Sequence, residues 1–323
     1  MAVTTDRRRL LGGALAAGVL LPAATRAQSN AGPNAIAAPE ELALWPGDAP
    51  GMPDEAPVET VMSRDSGPPR RRVKGVVRPR MLVFRPQVAN GASVLVIPGG
   101  GYAVLSIDNG GFAPAQALTQ LGYTVFVLIY RLPGEGWANR ETVPLADAQR
   151  ALRLIRSRYP GLDPQRVGTM GFSAGGHLCA VTGAMFDREV YAPVDAADAL
   201  SARPACAAPI YPVINLDTPF THEGSRNTLL GPNASTALRE AWSPDRNVPE
   251  NAPPFFLLHA EDDIVTSPED SLMMRAALKA QNVPVETYLL TSGGHGFGGM
   301  PAAGSPAGGW IDIWHKWAQR SGL

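Results

Sequence analysis

Residues Val167-Gly168-Thr169-Met170-Gly171-Phe172-Ser173-Ala174-Gly175-Gly176 read as a short strand that ends in Gly-x-Ser-x-Gly and opens into a helix of small residues. Few backbone paths satisfy such a stretch. Small residues two positions either side of Ser173 let a strand and a helix approach closely enough for a sharp turn. The serine at its tip is forced towards positive φ. The turn lifts the hydroxyl out of the sheet and sets the next backbone N–H beside it. A glycine-rich turn between any strand and helix can carry a serine, so the pattern alone leaves an ordinary βα turn open. The surroundings decide.

The chain has 323 residues, 45% hydrophobic and 18% charged, which suits a globular body with a sizeable core. Formal net charge is −1, so charge gives no support to a polyanion partner and no nucleic acid is expected. Residues 1–27 are expected to be an export signal. Arg7, Arg8 and Arg9 precede a mildly apolar Gly/Ala/Leu run, and Thr25-Arg26-Ala27 suits cleavage. That run is short of the roughly 20 residues a spanning helix needs. Its adjacent arginines resemble a twin-arginine signal, a route that carries folded proteins. A periplasmic or secreted protein with no integral membrane segment is therefore expected. The two cysteines, Cys179 and Cys206, have neither CxxC nor metal spacing, and unpaired burial is expected of both.

Residues 28–57, rich in Pro, Gly and Ala, oppose helix and strand alike and read as an extended N-terminal arm. Residues 58–323 form the expected catalytic domain. Residues 66–72 make a Gly/Pro/Arg turn between a strand pair at 59–63 and 73–77, and 81–84 is the next strand. Strands then alternate with helices. The runs at 93–97 and 123–130 are continuously apolar, as in strands buried on both faces. A helix is expected over 112–121. Leu145, Ala148, Leu152 and Ile155 give one apolar helix face, with Arg150, Arg153 and Arg156 elsewhere. Further strands are read at 206–213, 255–258 and 285–290. Ser267-Pro268-Glu269-Asp270 is a helix start, with serine as N-cap and proline at the first helical position. The last amphipathic helix spans 306–320, with Trp310, Trp314 and Trp317 at core spacing. Residues 214–250 are less regular and form a short insertion over the site. This alternation predicts a single, mainly parallel sheet with helices on both faces.

A serine hydroxyl needs a base, and the base needs a partner that fixes its tautomer. Where the nucleophile sits on a strand-turn-helix, the chain order is serine, acid, histidine. Of the five histidines, His177 follows Ser173 on one helix and is expected to pack behind the turn. His222 and His259 precede the acid candidates, and His315 lies on an amphipathic helix. His295, in Ser292-Gly293-Gly294-His295-Gly296-Phe297-Gly298, remains, directly after the last strand. Glu261, Asp262 and Asp263 follow the strand at 255–258, and periodicity does not separate them. An oxyanion needs backbone N–H donors. One is expected from Ala174, the other from the loop Pro98-Gly99-Gly100-Gly101-Tyr102. No Lys-Ser/Thr follows these glycines, which disfavours a phosphate-binding loop.

Four motifs in order, Pro98-Gly99-Gly100-Gly101-Tyr102, Gly171-Phe172-Ser173-Ala174-Gly175-Gly176-His177-Leu178, His259-Ala260-Glu261-Asp262-Asp263 and Gly293-Gly294-His295-Gly296-Phe297-Gly298, resemble the α/β-hydrolase esterases. More narrowly they resemble the acetylxylan esterase and bifunctional acetyl/feruloyl esterase branch. Leu44-Trp45-Pro46-Gly47, Tyr130-Arg131-Leu132-Pro133 and Tyr211-Pro212-Val213 also have similar segments there. The resemblance implies an α/β-hydrolase fold with a short insertion after the sixth strand. It implies Asp263 as the acid. It implies two-step acyl transfer by Ser173, His295 and Asp263, with N–H groups of Ala174 and of Gly100 or Gly101 on the oxyanion. No metal or organic cofactor is implied. The expected substrate is a small ester or acylated carbohydrate, acetylated xylan for instance, with Tyr102 as a candidate substrate contact and with Trp137 either stacking on a sugar as a second or simply packing. Two other readings stand beside it. One is a serine peptidase of the prolyl-oligopeptidase type, whose usual propeller repeat is missing here. The other is a non-catalytic hydrolase fold that binds carbohydrate.

Overall fold

Three runs of β-branched and apolar residues are buried along their whole length: Ser93–Ile97, Thr124–Ile129 and Val167–Phe172. Strands with no wet face need helices on both sides, and the fold follows from that. The computed structural model describes residues 40–63, 70–299 and 301–323. The signal expected at 1–27 and part of the arm and of the 66–72 turn lie outside the described residues.

In chain order the strands are β1 (Glu40–Ala43), β2 (Thr60–Met62), β3 (Arg72–Lys74), β4 (Arg80–Phe84), β5 (Ser93–Ile97) and β6 (Leu105–Ser106). After them come β7 (Thr124–Ile129), β8 (Val167–Phe172), β9 (Ala207–Ile210), β10 (Phe255–Ala260) and β11 (Val285–Leu290). The helices are α1 (Ala113–Gln120), α2 (Val143–Arg158), α3 (Ala174–Ala184), α4 (Glu223–Leu230), α5 (Thr236–Ala241), α6 (Pro268–Ala280) and α7 (Trp310–Arg320). Among the described residues eight strands form one sheet in the order β1-β4-β7-β5-β8-β9-β10-β11. It is parallel from β7 to β11, and β4 is antiparallel to both its neighbours. The path from β5 through α1 to β7 runs one way along the sheet, and that from β7 through α2 to β8 runs back. With right-handed crossovers, α1 and α2 therefore cover opposite faces. The expected helix at 112–121 is preceded by one π-helical turn, Asp108–Phe112. In α7, Trp310, Trp314 and Trp317 are all buried, Trp314 against Tyr123 and Trp317 against Phe256. Residues 214–250 leave the sheet after β9, its sixth strand in chain order, and hold α4 and α5. Cys179 and Cys206 are buried and unpaired. No helix among the described residues is long and apolar enough to cross a membrane.

Two expectations need correction. The arm, read as opposed to strand, contributes β1, which pairs antiparallel with β4. At a sheet edge a strand tolerates charged side chains: Glu41 reaches Arg80 at 3.3 Å and Glu40 reaches Arg85 at 2.7 Å. Arg150, placed off the apolar face of α2, is buried, with its guanidinium on Asp195 and Asp198 and on the Leu44 carbonyl.

A second buried ion pair ties three distant segments together. Arg131, after β7, contacts Asp147 on α2 at 2.8 Å with both side chains out of solvent. The same carboxylate accepts the Trp45 indole N–H at 2.9 Å and the Arg131 backbone N–H at 2.9 Å. The guanidinium lies 5.4 Å from the Trp45 ring and 4.9 Å from that of Trp137, and it donates to the Pro50 carbonyl. Breaking one partner of such a pair strands a buried charge. Asp147→Ala is expected to cost about 3–5 kcal/mol of stability, read as a fall in the urea midpoint.

Asp270, near the start of α6, is fully buried and accepts the Asn215 N–H at 3.0 Å; its Oδ2 has no hydrogen-bond partner among the described residues. Burial pushes its carboxyl up to about 7, against the pull of the Asn215 and Ile214 N–H groups, and nearby Asp245 adds to the rise. The folded value lies above the unfolded one, near 3.9, so the fold favours the protonated acid. That contribution is whole below about pH 4 and is lost as pH rises through about 7. Urea titrations at about pH 5 and about pH 8 are expected to show a stability loss in the wild type that shrinks in Asp270→Asn. An unchanged loss in that variant counts against this assignment.

Candidate active site

The turn between β8 and α3 holds Ser173 at φ 56°, ψ −121°, a conformation side chains rarely adopt. Close packing keeps it there. A Cβ on Gly171 would overlap the Gly175 carbonyl, and one on Gly175 would overlap the carbonyls of Ile97 and Pro98. The Ser173 N–H is tied to the Ile210 carbonyl at 3.0 Å, across the sheet on β9. With the backbone fixed, the hydroxyl stands partly exposed at the carboxyl ends of the strands.

His295 reaches that hydroxyl from the loop after β11. Its Nε2 lies 2.9 Å from Ser173 Oγ, and its Nδ1 lies 2.8 Å from Asp263 Oδ2. A carboxylate accepts, so Nδ1 carries the proton and Nε2 is left to accept the serine O–H. Asp263 is buried after β10 and saturated with donors. Its Oδ1 accepts the N–H groups of Val265 and Thr266 at 2.8 and 3.0 Å, and its Oδ2 accepts the Thr266 hydroxyl at 3.0 Å. Burial alone would raise its pKa. Contacts with His259 and His295 and the backbone donors outweigh that and hold the carboxyl well below the usual range. His259, buried on β10, stands 3.4 Å from the same oxygen and is fixed by Ser271 and the Thr266 carbonyl.

The three competing acids separate by what they touch. Glu261 is exposed. Asp262 accepts the N–H groups of Gly293 and Gly294 at 2.9 and 2.7 Å, bracing the loop that carries His295. Asp263 meets the imidazole itself.

Gly99, Gly100 and Gly101 line a cleft of about 310 Å³ with Ser173, His295 and Tyr211. The Gly100 carbonyl accepts the Ala103 and Val104 N–H groups and the Gly99 carbonyl that of Ser106, so these carbonyls are engaged within the loop. Ala174 opens α3, where an N–H has no acceptor in its own helix.

The substrate contact expected at Tyr102 is corrected, and of the two readings of Trp137 the structure shows packing. Tyr102 is buried, and its hydroxyl meets His177 Nδ1 at 2.8 Å. His177 donates from Nε2 to the Trp242 carbonyl at 2.9 Å, and burial pushes it down to about 4. This neutral pair braces the glycine loop and the insertion from behind the turn. Trp137 is buried over Arg131, where it packs rather than facing the cleft.

Several cleft residues escaped the sequence reading. Tyr211, at φ 37°, lays its ring 4.9 Å from that of His295. His222, set aside by chain order, caps α4 and faces the cleft from the insertion. Ser225 N–H donates to His222 Nδ1 at 3.1 Å, so a neutral imidazole carries its proton on Nε2. Arg70, Arg71 and Arg72 also line the cleft.

The eight-stranded sheet, the strand-turn-helix at Ser173 and the serine, acid, histidine order together define an α/β-hydrolase fold. The family model BD-FAE matches residues 82–278, which include Ser173 and Asp263. The chain belongs to that family. It is 30% identical over 225 residues to an acetylxylan esterase of Xylanibacter ruminicola, covering 68% of this chain and 44% of that protein. It is 35% identical over 206 residues to endo-1,4-beta-xylanase B of Butyrivibrio fibrisolvens, covering 63% of this chain and 32% of that protein. The chain thus spans less than half the length of either relative. An acetyl ester-xyloside bifunctional hydrolase from Caldicellulosiruptor lactoaceticus superposes with a TM-score of 0.72 at 31% identity, covering 88% of this chain and 96% of that one. A Thermogutta terrifontis esterase shares the fold at a TM-score of 0.63 and 20% identity, covering 83% of this chain and 95% of that one.

Losing the Asp262 carboxylate removes both braces on the histidine loop. Asp262→Ala is expected to speed amide exchange at Gly293 and Gly294 by about tenfold or more, as measured by NMR. Glu261→Ala is expected to leave it unchanged.

Proposed function

We propose that the protein is a serine carboxylesterase that hydrolyses short acyl esters, acetyl foremost, on plant polysaccharide or its fragments, acetylated xylan being the leading case. The observation that carries this reading is the unbroken chain from Ser173 Oγ through His295 to Asp263, with 2.9 and 2.8 Å links, open to a cleft of about 310 Å³. Membership of the BD-FAE family and similarity to an acetylxylan esterase support it.

In this mechanism His295 Nε2 takes the Ser173 proton as Oγ attacks the ester carbonyl. Asp263, ionised at any working pH, fixes the tautomer and stabilises the imidazolium. The N–H of Ala174 and that of Gly100 or Gly101 hold the developing oxyanion. As the tetrahedral intermediate collapses, the bond to the leaving alkoxide breaks and His295 returns the proton to it. Water, deprotonated by the same imidazole, then attacks the acyl-serine and releases the carboxylic acid and free Ser173. Residues 58–323 carry the catalytic domain. We assign residues 1–27 to an export signal of twin-arginine type, which would bring the enzyme to periplasmic or extracellular polysaccharide.

Hydrolysis of 4-nitrophenyl acetate tests the reading. Ser173→Ala is expected to lower kcat by about 10⁴-fold or more. Wild-type protein without activity, or a mutant as fast as wild type, overturns it.

A further inference from the structure

Among the described residues that line the cleft are three arginines and two histidines, and none is acidic. In a chain of net charge −1 this is a local reversal of sign. The arginines come from 70–72, the end of the Gly/Pro/Arg turn and the first residue of β3. Their roles differ. Arg71 is spent on structure: its guanidinium and its backbone N–H both go to Asp108, and its side chain stacks 5.0 Å from the Phe112 ring. Arg70 and Arg72 flank it, exposed, with no ion-pair partner among the described residues.

The anchor makes the strip rigid relative to the reactive groups. Asp108 opens the π-helical turn, and its neighbour Asn109 donates from Nδ2 to the Gly296 carbonyl at 2.6 Å. Gly296 directly follows His295. Strand β3 also pairs with β6, Arg72 opposite Ser106, and the Ser106 N–H is bound to the Gly99 carbonyl beside the serine. Two hydrogen-bonded routes thus fix Arg70 and Arg72 against both the glycine loop and the histidine loop. From the insertion, His222 lines the same cleft, and Nε2 carries the N–H of its neutral ring.

We propose that the ester this cleft takes carries a carboxylate, received by Arg70 and Arg72 and by the His222 Nε2–H, the charge residing on a uronate-type alcohol or on a dicarboxylic acyl group. This deepens the esterase reading above and rests on it. Arginine is suited to the task, because its planar fork meets both carboxylate oxygens and stays charged at every working pH. A one-sign cleft also gathers anionic substrate from solution, an effect that salt weakens.

Two matched pairs of substrates isolate the charge and tell its two sources apart. A mono-O-acetyl hexuronic acid is compared with its carboxamide, and 4-nitrophenyl hemisuccinate with 4-nitrophenyl butyrate. Wild-type hydrolysis of 4-nitrophenyl acetate, beside Ser173→Ala, is run in parallel. In at least one pair the charged member is expected to exceed the neutral one in kcat/KM by about tenfold or more at low salt, chiefly through KM. The advantage is expected to shrink at about 0.5 M salt and to approach one in the Arg70→Gln, Arg72→Gln double variant. Equal rates within about twofold in both pairs, or an advantage the double variant keeps, overturn the proposal while acetate hydrolysis upholds the esterase. If wild type does not hydrolyse 4-nitrophenyl acetate, both readings fall together.

Discussion

The backbone at Ser173 is held in a conformation it would not choose, and much of the molecule exists to hold it there. A non-glycine residue at positive φ persists only where its surroundings over-determine it. Here they do so from four sides. Gly171 and Gly175 close upon each other, the carbonyls of Ile97 and Pro98 press on Gly175, the Ser173 N–H is tied to β9, and the Ser173 carbonyl accepts the first bond of α3. The central parallel strands supply that frame, and their complete burial makes it stiff.

Charge inside the molecule falls into two kinds. Arg131 with Asp147 and Arg150 with Asp195 and Asp198 clamp the N-terminal arm onto α2, using the indole of Trp45 and the carbonyl of Leu44 as further partners. These pairs are structural, and none of their residues lines the cleft. At the cleft, Asp263 is also saturated with donors, but one of them is an imidazole whose far nitrogen faces Ser173. The difference lies in that open second nitrogen. His177 and His259 have both ring nitrogens engaged by buried partners, whereas His295 Nε2 meets a hydroxyl with access to solvent.

Much of the fold was legible in local pattern. Continuous apolar runs foretold the buried strands, and the serine cap with following proline foretold the start of α6. The glycines around Ser173 and His295 marked turns that only small residues allow. What stayed hidden depended on distance along the chain. Strand β1 is fixed by its partner β4, and no composition rule for the arm could show that. Arg150 and Asp147 look like solvated helix charges until their partners arrive from 131 and 195. The acids after β10 have one chemistry and differ only in direction, so the residues alone left Glu261, Asp262 and Asp263 open; resemblance favoured Asp263. Tyr102 was misjudged and Trp137 left open because an aromatic beside a glycine serves a core as readily as a substrate. His222 was discarded by order along the chain, a criterion blind to a residue that returns over the cleft on an insertion.

In the proposed reading Ser173 is a nucleophile activated through His295. Treating the protein with an organophosphate and mapping the modified peptide by mass spectrometry tests it most directly. A covalent adduct on Ser173 is expected in the wild type, with little or none after His295→Ala. An unmodified Ser173, an adduct on another residue, or equal labelling without the histidine would contradict it.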